Sequence, residues 1–336
     1  MEILYIGQYD EGSTSRMRGE YLKDILKPTM FKVTNLDTPI KVTHRLWRSL
    51  GWRLKLGPLI KNISQYILSE INGKWEYDVV WIDKGVFIDP MIIYKLRKDS
   101  TTLVHFTPDP AFTYHRSHLF FNALPYYDYC ITTKSFEIQH YKQHGIKNVI
   151  LCTQGFQMDV HTSYHRFDEK RGIVFIGHRE KDRESIIEQL LKKKYEITVG
   201  GIGWERFANK YRKDKNLIYK GKGIFGAEYA RTLSGGLISL GLLSRIIPEL
   251  HTTRTLEIPA CGTALVTERN QETQNIFNDD DVLFYSNHDE LLYKIDNVYN
   301  DKEALKRITI QGMNRVRNGG YDYKSILERI LKQMEL

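Results

Sequence analysis

Short uninterrupted apolar runs alternate with amphipathic stretches along the whole chain. In the first half, runs at 3–7, 31–36, 78–82, 102–106, 129–132 and 149–152 are rich in Val, Ile and aromatic residues. That is the pattern of strands buried on both faces of a parallel sheet. Helical spacing occupies 17–26, 59–71, 90–97 and 136–144 between them. The alternation stops in the polar stretch 158–171, where a linker is expected, and then resumes. Strands are expected at 173–177, 197–200, 217–220, 236–240, 264–267 and 282–285, and helices at 183–192, 227–233, 253–260, 273–277, 290–299 and 302–317. The last stretch, 321–336, carries Tyr323, Ile326, Leu327, Ile330, Leu331 and Met334 at helical spacing and reads as a closing helix packed on the body. The expectation is an α/β protein of two tandem Rossmann-like, doubly wound domains, 1–160 and 170–320, with the closing helix at 321–336. Ligands of such sheets bind outside the strand carboxyl ends, so a site in a cleft between the domains is expected.

Composition agrees with two ordinary folded domains. The chain has 336 residues, 41% hydrophobic and 27% charged, which excludes disordered and collagenous classes. The longest apolar stretch, 235–243, is broken by Ser239 and by glycines, far short of the ~18 residues of a membrane span. Met1-Glu-Ile-Leu-Tyr-Ile-Gly7 has no basic leader and reads as a strand, so a cytoplasmic protein is expected. Cys130, Cys152 and Cys261 lie in apolar runs with no metal-ligand spacing and are expected to be buried thiols.

The formal net charge is +8, which suits phosphate-bearing partners. Its distribution is uneven. No acid occurs between Thr38 and Ser69, whereas Lys41, Arg45, Arg48, Arg53, Lys55 and Lys61 are interleaved with Leu46, Trp47, Leu50, Trp52, Leu54, Leu56 and Leu59. Two readings stand side by side. One is a helix with Trp and Leu facing the core; the other is a surface at 41–61 that lies peripherally on an anionic membrane, at the inner face, or grips an anionic acceptor. No nucleic-acid-binding motif accompanies the charge, and no nucleic-acid partner is expected.

Two glycine loops invite a dinucleotide reading. Gly221-Lys-Gly223-Ile-Phe-Gly226 has the literal fingerprint but follows the third strand of its series, and no acid closes the next strand. Gly201-Ile-Gly203-Trp-Glu-Arg206 has arginine at the third glycine position. Both read first as tight turns needing positive φ, with Gly223 retained as a candidate contact to a bound nucleotide.

The densest chemistry lies in 247–262. Thr252 or Thr253 is a natural helix cap, so the bare N–H groups of the next turn and the Arg254 guanidinium suit a diphosphate. Glu257, one turn later, would repel phosphate and suits neutral ribose hydroxyls. Pro259, Cys261 and Gly262 end the helix quickly.

Glu249 and Glu257 stand with seven residues between them, and Glu257-Ile-Pro-Ala-Cys-Gly-Thr-Ala-Leu-Val resembles the Glu-Ala-Met-Ala-Cys-Gly-x-Pro-Val run of group-1 glycosyltransferases with the GT-B fold. His251-Thr-Thr-Arg-Thr-Leu-Glu-Ile-Pro-Ala-Cys-Gly262 is closer to the spore-maturation or spore-coat branch. Tyr77-Asp-Val-Val-Trp-Ile-Asp-Lys-Gly85, Thr107-Pro-Asp109 and Tyr127-Asp-Tyr-Cys-Ile-Thr-Thr-Lys-Ser-Phe136 are similar to that branch's N-terminal half. The chain departs from the pattern at Pro248, in place of a Phe-Gly turn, and at Ala264-Leu265, in place of Pro-Val.

The resemblance implies a retaining, metal-independent transferase without a separate cofactor. It would move a sugar from a nucleotide-diphosphate donor to a glycan, lipid-linked or protein acceptor, as in cell-surface polysaccharide assembly. A nucleotide-sugar-binding protein or an epimerase of the same fold is the alternative. The donor would meet Glu257, Arg254, Thr253, Thr252 and His251, with Gly177, His178, Lys181 and Arg183 from the end of the first strand of that domain. Glu249 would touch the donor sugar. Asp109, then His105, are the candidates for a base or an acceptor hydrogen bond. Ser13, Arg16, Asp83 and Lys84, at strand ends of the first domain, are candidate acceptor contacts. Plainer roles compete at several positions: a core histidine for His105, a turn former for Asp109, a helix cap for Ser13.

Overall fold

The computed structural model describes residues 1–336 and divides into two compact units, Met1–Thr153 with Lys324–Leu336, and Gln154–Tyr323. The fold class is α/β, each unit carrying one six-stranded parallel sheet. The break falls at Thr153, ahead of the polar stretch that composition marks as a linker. That stretch is packed into the second unit: His161 and Lys170 are buried, the Lys170 ammonium donates to the Ser234 carbonyl, and the N–H groups of Tyr164 and His165 donate to Ser234 Oγ at 2.8 and 3.1 Å.

The first unit runs β1 (Glu2–Gly7), α1 (Thr14–Leu26), β2 (Met30–Asn35), α2 (Asp37–Val42), α3 (Arg45–Leu54), α4 (Pro58–Ile71), β3 (Val79–Asp83), α5 (Pro90–Asp99), β4 (Thr102–Thr107), α6 (His118–Ala123), β5 (Tyr129–Thr132), α7 (Ile138–Gln143) and β6 (Val149–Leu151). Strand order is β2-β1-β3-β4-β5-β6. Leu4 and Ile6 of β1 enter one core with Ile63 and Ile67 of α4 and Ile92, Ile93 and Leu96 of α5. Ile3 and Tyr5 point to the opposite face, as strand periodicity requires.

The second unit runs β7 (Ile173–Ile176), α8 (Lys181–Lys192), β8 (Ile197–Gly200), α9 (Glu205–Lys210), β9 (Leu217–Tyr219), α10 (Gly226–Ser234), β10 (Ile238–Gly241), α11 (Thr253–Ala260), β11 (Ala264–Glu268), α12 (Gln271–Ile276), β12 (Leu283–Tyr285), α13 (His288–Val298) and α14 (Lys302–Asn318). Strand order is β12-β11-β10-β7-β8-β9. The closing helix α15 (Tyr323–Gln333) belongs to the first unit, where Ile326, Leu327, Ile330 and Leu331 pack against Val79, Trp81, Val104 and Ile131.

The two sheet orders fix where loops diverge. In the first unit the chain leaves β1 for β2 on one side and returns to β3 on the other. In the second it works outward from β7 to β9 and returns to β10 on β7's other side. At such a switch point the loops after two neighbouring strands part and leave a crevice at the strand carboxyl ends. The crevice of the first unit therefore lies after β1 and β3, and that of the second after β7 and β10.

The basic aromatic stretch folds as the end of α2, all of α3 and the start of α4. Only Gly51 of α3 is buried, closed against Leu59, while Leu46, Trp47, Leu50 and Leu54 stand in solvent. The core-facing reading of that helix fails because its close approach to α4 is made by a glycine and its leucines lie on the other side.

Candidate functional site

The switch point of the second unit is built around the carbonyl of Leu242, in the loop after β10. Arg183 Nη2 donates to it at 3.1 Å and Arg254 Nη2 at 3.3 Å. Arg183 projects from α8, is buried, and also donates from Nη1 to the His178 carbonyl at 3.1 Å, tying the loop after β7 to the loop after β10. Glu180, at 3.0 Å, and Glu249, at 3.7 Å, neutralise it in part. Burial, with Arg254 beside it, lowers the Arg183 pKa. Two guanidinium groups on one carbonyl oxygen concentrate positive charge at this loop.

Arg254 comes from the first turn of α11, whose cap Thr252 is extended at φ −133°. The Thr252 hydroxyl is buried without a partner, and so are Nε of Arg254 and Nε of Arg183. The N–H groups of Thr253 and Arg254 open the helix, where intrahelical acceptors are absent. Arg254 Nη1 lies beside Gly177, 3.5 Å from where a Cβ there would stand. Gly201 closes on the same loop: at φ +120°, a Cβ would come 2.2 Å from the Gly177 carbonyl oxygen, and that oxygen accepts the Trp204 indole N–H at 2.8 Å. The crowd of donors with few acceptors suits an anion.

Glu257 follows Arg254 by one turn of α11. It is buried, accepts the Tyr229 hydroxyl at 2.7 Å, and stands 3.6 Å from His161 Nε2. The Gln157 N–H donates to His161 Nδ1 at 2.9 Å, which leaves the ring proton on Nε2, toward the carboxylate. Burial, reinforced by Glu257, holds the Tyr229 hydroxyl well above its ordinary pKa, so it stays a donor.

In the first unit a pocket opens at the carboxyl ends of β1, β3 and β4. Leu36, Ile40, Trp52, Val86 and Phe87 form an apolar wall, and Gln8, Lys84, Asp109 and His115 supply polar groups. Lys84 pairs with Asp109 at 2.8 Å and His115 Nε2 stands 3.7 Å from the same carboxylate oxygen. Burial alone would raise the Asp109 pKa, but Lys84 and then His115 outweigh it and hold the carboxyl at about 2. Burial lowers the His115 pKa against the pull of Asp109, so the ring is neutral near pH 7. Lys84 adopts a left-handed backbone, φ +70°, pinned by its N–H to the Phe106 carbonyl at 2.8 Å and its carbonyl to His105 Nε2 at 3.1 Å.

Several expected contacts lie in supporting positions. His105 is fully buried between Phe120 and Tyr127, and burial takes its pKa to about 4; it orients the Lys84 turn. Asp83 has no surface: Arg18 grips it through Nε at 2.8 Å and Nη2 at 3.0 Å, and Tyr5 adds a bond at 3.0 Å. The Ser13 hydroxyl caps α1 at the Arg16 N–H, 3.1 Å, and Arg16 lies 3.8 Å from Glu20. His251 accepts the Gln154 N–H on Nε2 at 2.9 Å and meets Glu272 through Nδ1 at 2.5 Å, which anchors the loop before α11. Glu249 accepts the Ser244 N–H at 2.8 Å and holds the loop after β10. His178 and Lys181 are exposed beside that loop, at the start of α8. Gly223 follows the edge strand β9, two strands from β7, apart from the arginine pair. Tyr229, His161 and His115 complete these clusters and carry no sequence signal of their own, since no spacing along the chain ties them to Glu257 or Asp109.

Two tandem Rossmann-like units with these sheet orders define the GT-B class of fold. Solved structures share it over nearly the full length. HepE from Anabaena, in complex with UDP and glucose, is 13% identical, covers 100% of this chain and 99% of its own, and superposes with a TM-score of 0.70. Sucrose-phosphate synthase from Thermosynechococcus elongatus is 12% identical over 99% of each chain, TM-score 0.69. UDP-GlcNAc 2-epimerase from Neisseria meningitidis, bound to UDP-GlcNAc, is 12% identical over 99% of each chain, TM-score 0.61. Residues 179–332, which include α8, α11 and both arginines, match the family model described as glycosyl transferase-like. No curated protein matches the chain in sequence.

Proposed function

We propose that this protein transfers a sugar from a nucleotide-diphosphate donor to an acceptor hydroxyl, with the donor held by the second unit and the acceptor by the first. The observation that carries the reading is the set of unpartnered donors at the second switch point: Thr252 Oγ, Arg254 Nε and Arg183 Nε around two guanidinium groups. A buried donor without a partner costs ~1–3 kcal/mol, which a bound diphosphate would offset. HepE and the epimerase, similar in fold, are described with UDP or a UDP-sugar, which supports the choice of anion.

In the transfer, the acceptor oxygen bonds to the anomeric carbon as the bond from that carbon to the diphosphate breaks, and the acceptor proton passes to an oxygen of the leaving diphosphate. Negative charge grows on the leaving diphosphate, so Arg254 and the α11 amides stabilise the transition state more than the ground state. Glu257 takes the ribose hydroxyls by exchanging its bond to Tyr229. Asp109, with its carboxyl held at about 2, is a weak base and serves as a hydrogen-bond acceptor that orients the incoming hydroxyl alongside Lys84. Retention of anomeric configuration, without a metal, rests on the resemblance of the 249–266 run and is read directly from the product's anomeric signal.

The test is a thermal-shift panel of uridine, guanosine, thymidine and cytidine diphosphates and their sugars. One base series is expected to raise the midpoint by several degrees at saturating ligand without added metal. Arg254→Ala and Glu257→Ala should each weaken that ligand at least tenfold. A panel with no shift removes the proposal. Product analysis without acceptor separates a transferase from an epimerase, because only the latter inverts a carbon of the unreacted donor sugar.

A further inference from the structure

The helix α3 is amphipathic the wrong way round for a core element. Leu46, Leu50 and Leu54 recur at intervals of four, forming one ridge, with Trp47 beside it; their exposures are 72%, 45%, 54% and 48%. The side toward the protein is Gly51, which meets Leu59, and Trp52, whose ring lies 4.5 Å from Phe87. The helix is nonetheless well made. His44 Nδ1 accepts the Leu46 N–H at 3.4 Å at one end, and Lys55 closes the other in a left-handed conformation, its ammonium 4.7 Å from the centre of the Phe87 ring. A preformed helix with its apolar ridge in water pays no ordering penalty when it docks.

The surrounding charge decides what it docks on. Arg45, Arg53 and Lys61 are exposed and Arg48 half-buried, and none forms an ion pair with a carboxylate of the chain, there being no acid from Thr38 to Ser69. A convex apolar ridge with cations at its flanks and an indole at its edge matches the headgroup layer of an anionic bilayer. We infer that α3 docks this protein on an anionic lipid surface, with Leu46, Leu50 and Leu54 in the acyl boundary and Arg45, Arg53 and Lys61 among the headgroups.

Docking also bears on the acceptor. Trp52, on the inner side of α3, lines the pocket that holds Lys84 and Asp109. A docked helix therefore sets that pocket at the lipid surface and selects, among glycan, protein and lipid-linked acceptors, the lipid-linked one. This second statement rests on the transferase reading; the docking itself does not.

Sedimentation with phosphatidylcholine vesicles, with and without a third of phosphatidylglycerol, tests the docking in the absence of any sugar donor. The protein is expected to bind the anionic vesicles only, at least tenfold more weakly at 0.5 M than at ~0.05 M salt. L46S/L50S and R45E/R53E should each lower binding at least tenfold, with the thermal midpoint and the nucleotide-induced shift unchanged because these side chains are exposed and belong to the first unit, whereas the proposed donor contacts belong to the second. Absent binding, equal binding to neutral vesicles, or binding unchanged in both variants overturns the inference. A wild-type dimer in solution that dissociates in L46S/L50S also overturns it, by making the ridge an interface between copies of this chain. Loss of the nucleotide shift in the wild type would sink the transferase reading and leave docking standing.

Discussion

His105 Nδ1 has no partner in the core of the first unit, and its Nε2 proton is spent on the Lys84 carbonyl. Burial favours the neutral ring, so the folded pKa is about 4 against ~6.5 in the unfolded chain. The unfolded chain thus takes up the proton first as pH falls. The stabilisation is whole above pH ~6.5 and is lost as pH drops toward 4, at up to ~1.4 kcal/mol per pH unit. Urea unfolding of the wild type between pH 7 and 4 should show this slope, and His105→Gln should flatten it; parallel profiles would remove His105 as its source. At this scale the sequence pointed to part of the candidate site. Arg254 and Glu257 were legible because a threonine cap, a cation and an acid one turn apart have a local rationale. Tyr229 on α10 and His161 in a polar loop reach Glu257 only through tertiary packing, and no short-range pattern encodes that.

Strands were the most legible elements, since each is a short apolar run bounded by polar turns, and the structure places all twelve near their expected positions. The direction of α3 was not legible. Periodicity reports that a helix has an apolar face, and only a packed neighbour decides whether that face turns inward. The two glycine loops separate for a similar reason. Both Gly201 and Gly221 have positive φ, yet a Cβ on Gly221 meets open space whereas one on Gly201 strikes the Gly177 carbonyl. Gly221→Ala should cost ~1–3 kcal/mol of backbone strain and leave nucleotide binding intact. Gly201→Ala should in addition displace the loop after β7 and weaken nucleoside diphosphate binding at least tenfold in the same thermal-shift titration. Equal affinities in the two variants would mean that the Gly177 loop does not contact the ligand.

For the molecule as a whole, the topology explains the closing helix. In the first unit α4 and α5 share one face of the sheet, and α1 contributes Leu22 to the other, where Val79, Trp81, Val104 and Ile131 also need cover. Ile326, Leu327, Ile330 and Leu331 of α15 supply it. Leu327→Ala removes a fully buried side chain from that layer and should cost ~2–5 kcal/mol, seen as a midpoint several degrees lower. An unchanged midpoint would show the layer to be dispensable.

The same arrangement orders events during synthesis. Ribosomes deliver residues 1–153 roughly 170 residues before Lys324 emerges, which at ~5–20 residues per second is about ten to thirty seconds. Throughout that interval the nascent amino-terminal sheet carries Trp81 and its neighbours uncovered, a standing invitation to chaperones or to a neighbouring nascent chain, while the later half can fold ahead of the earlier one.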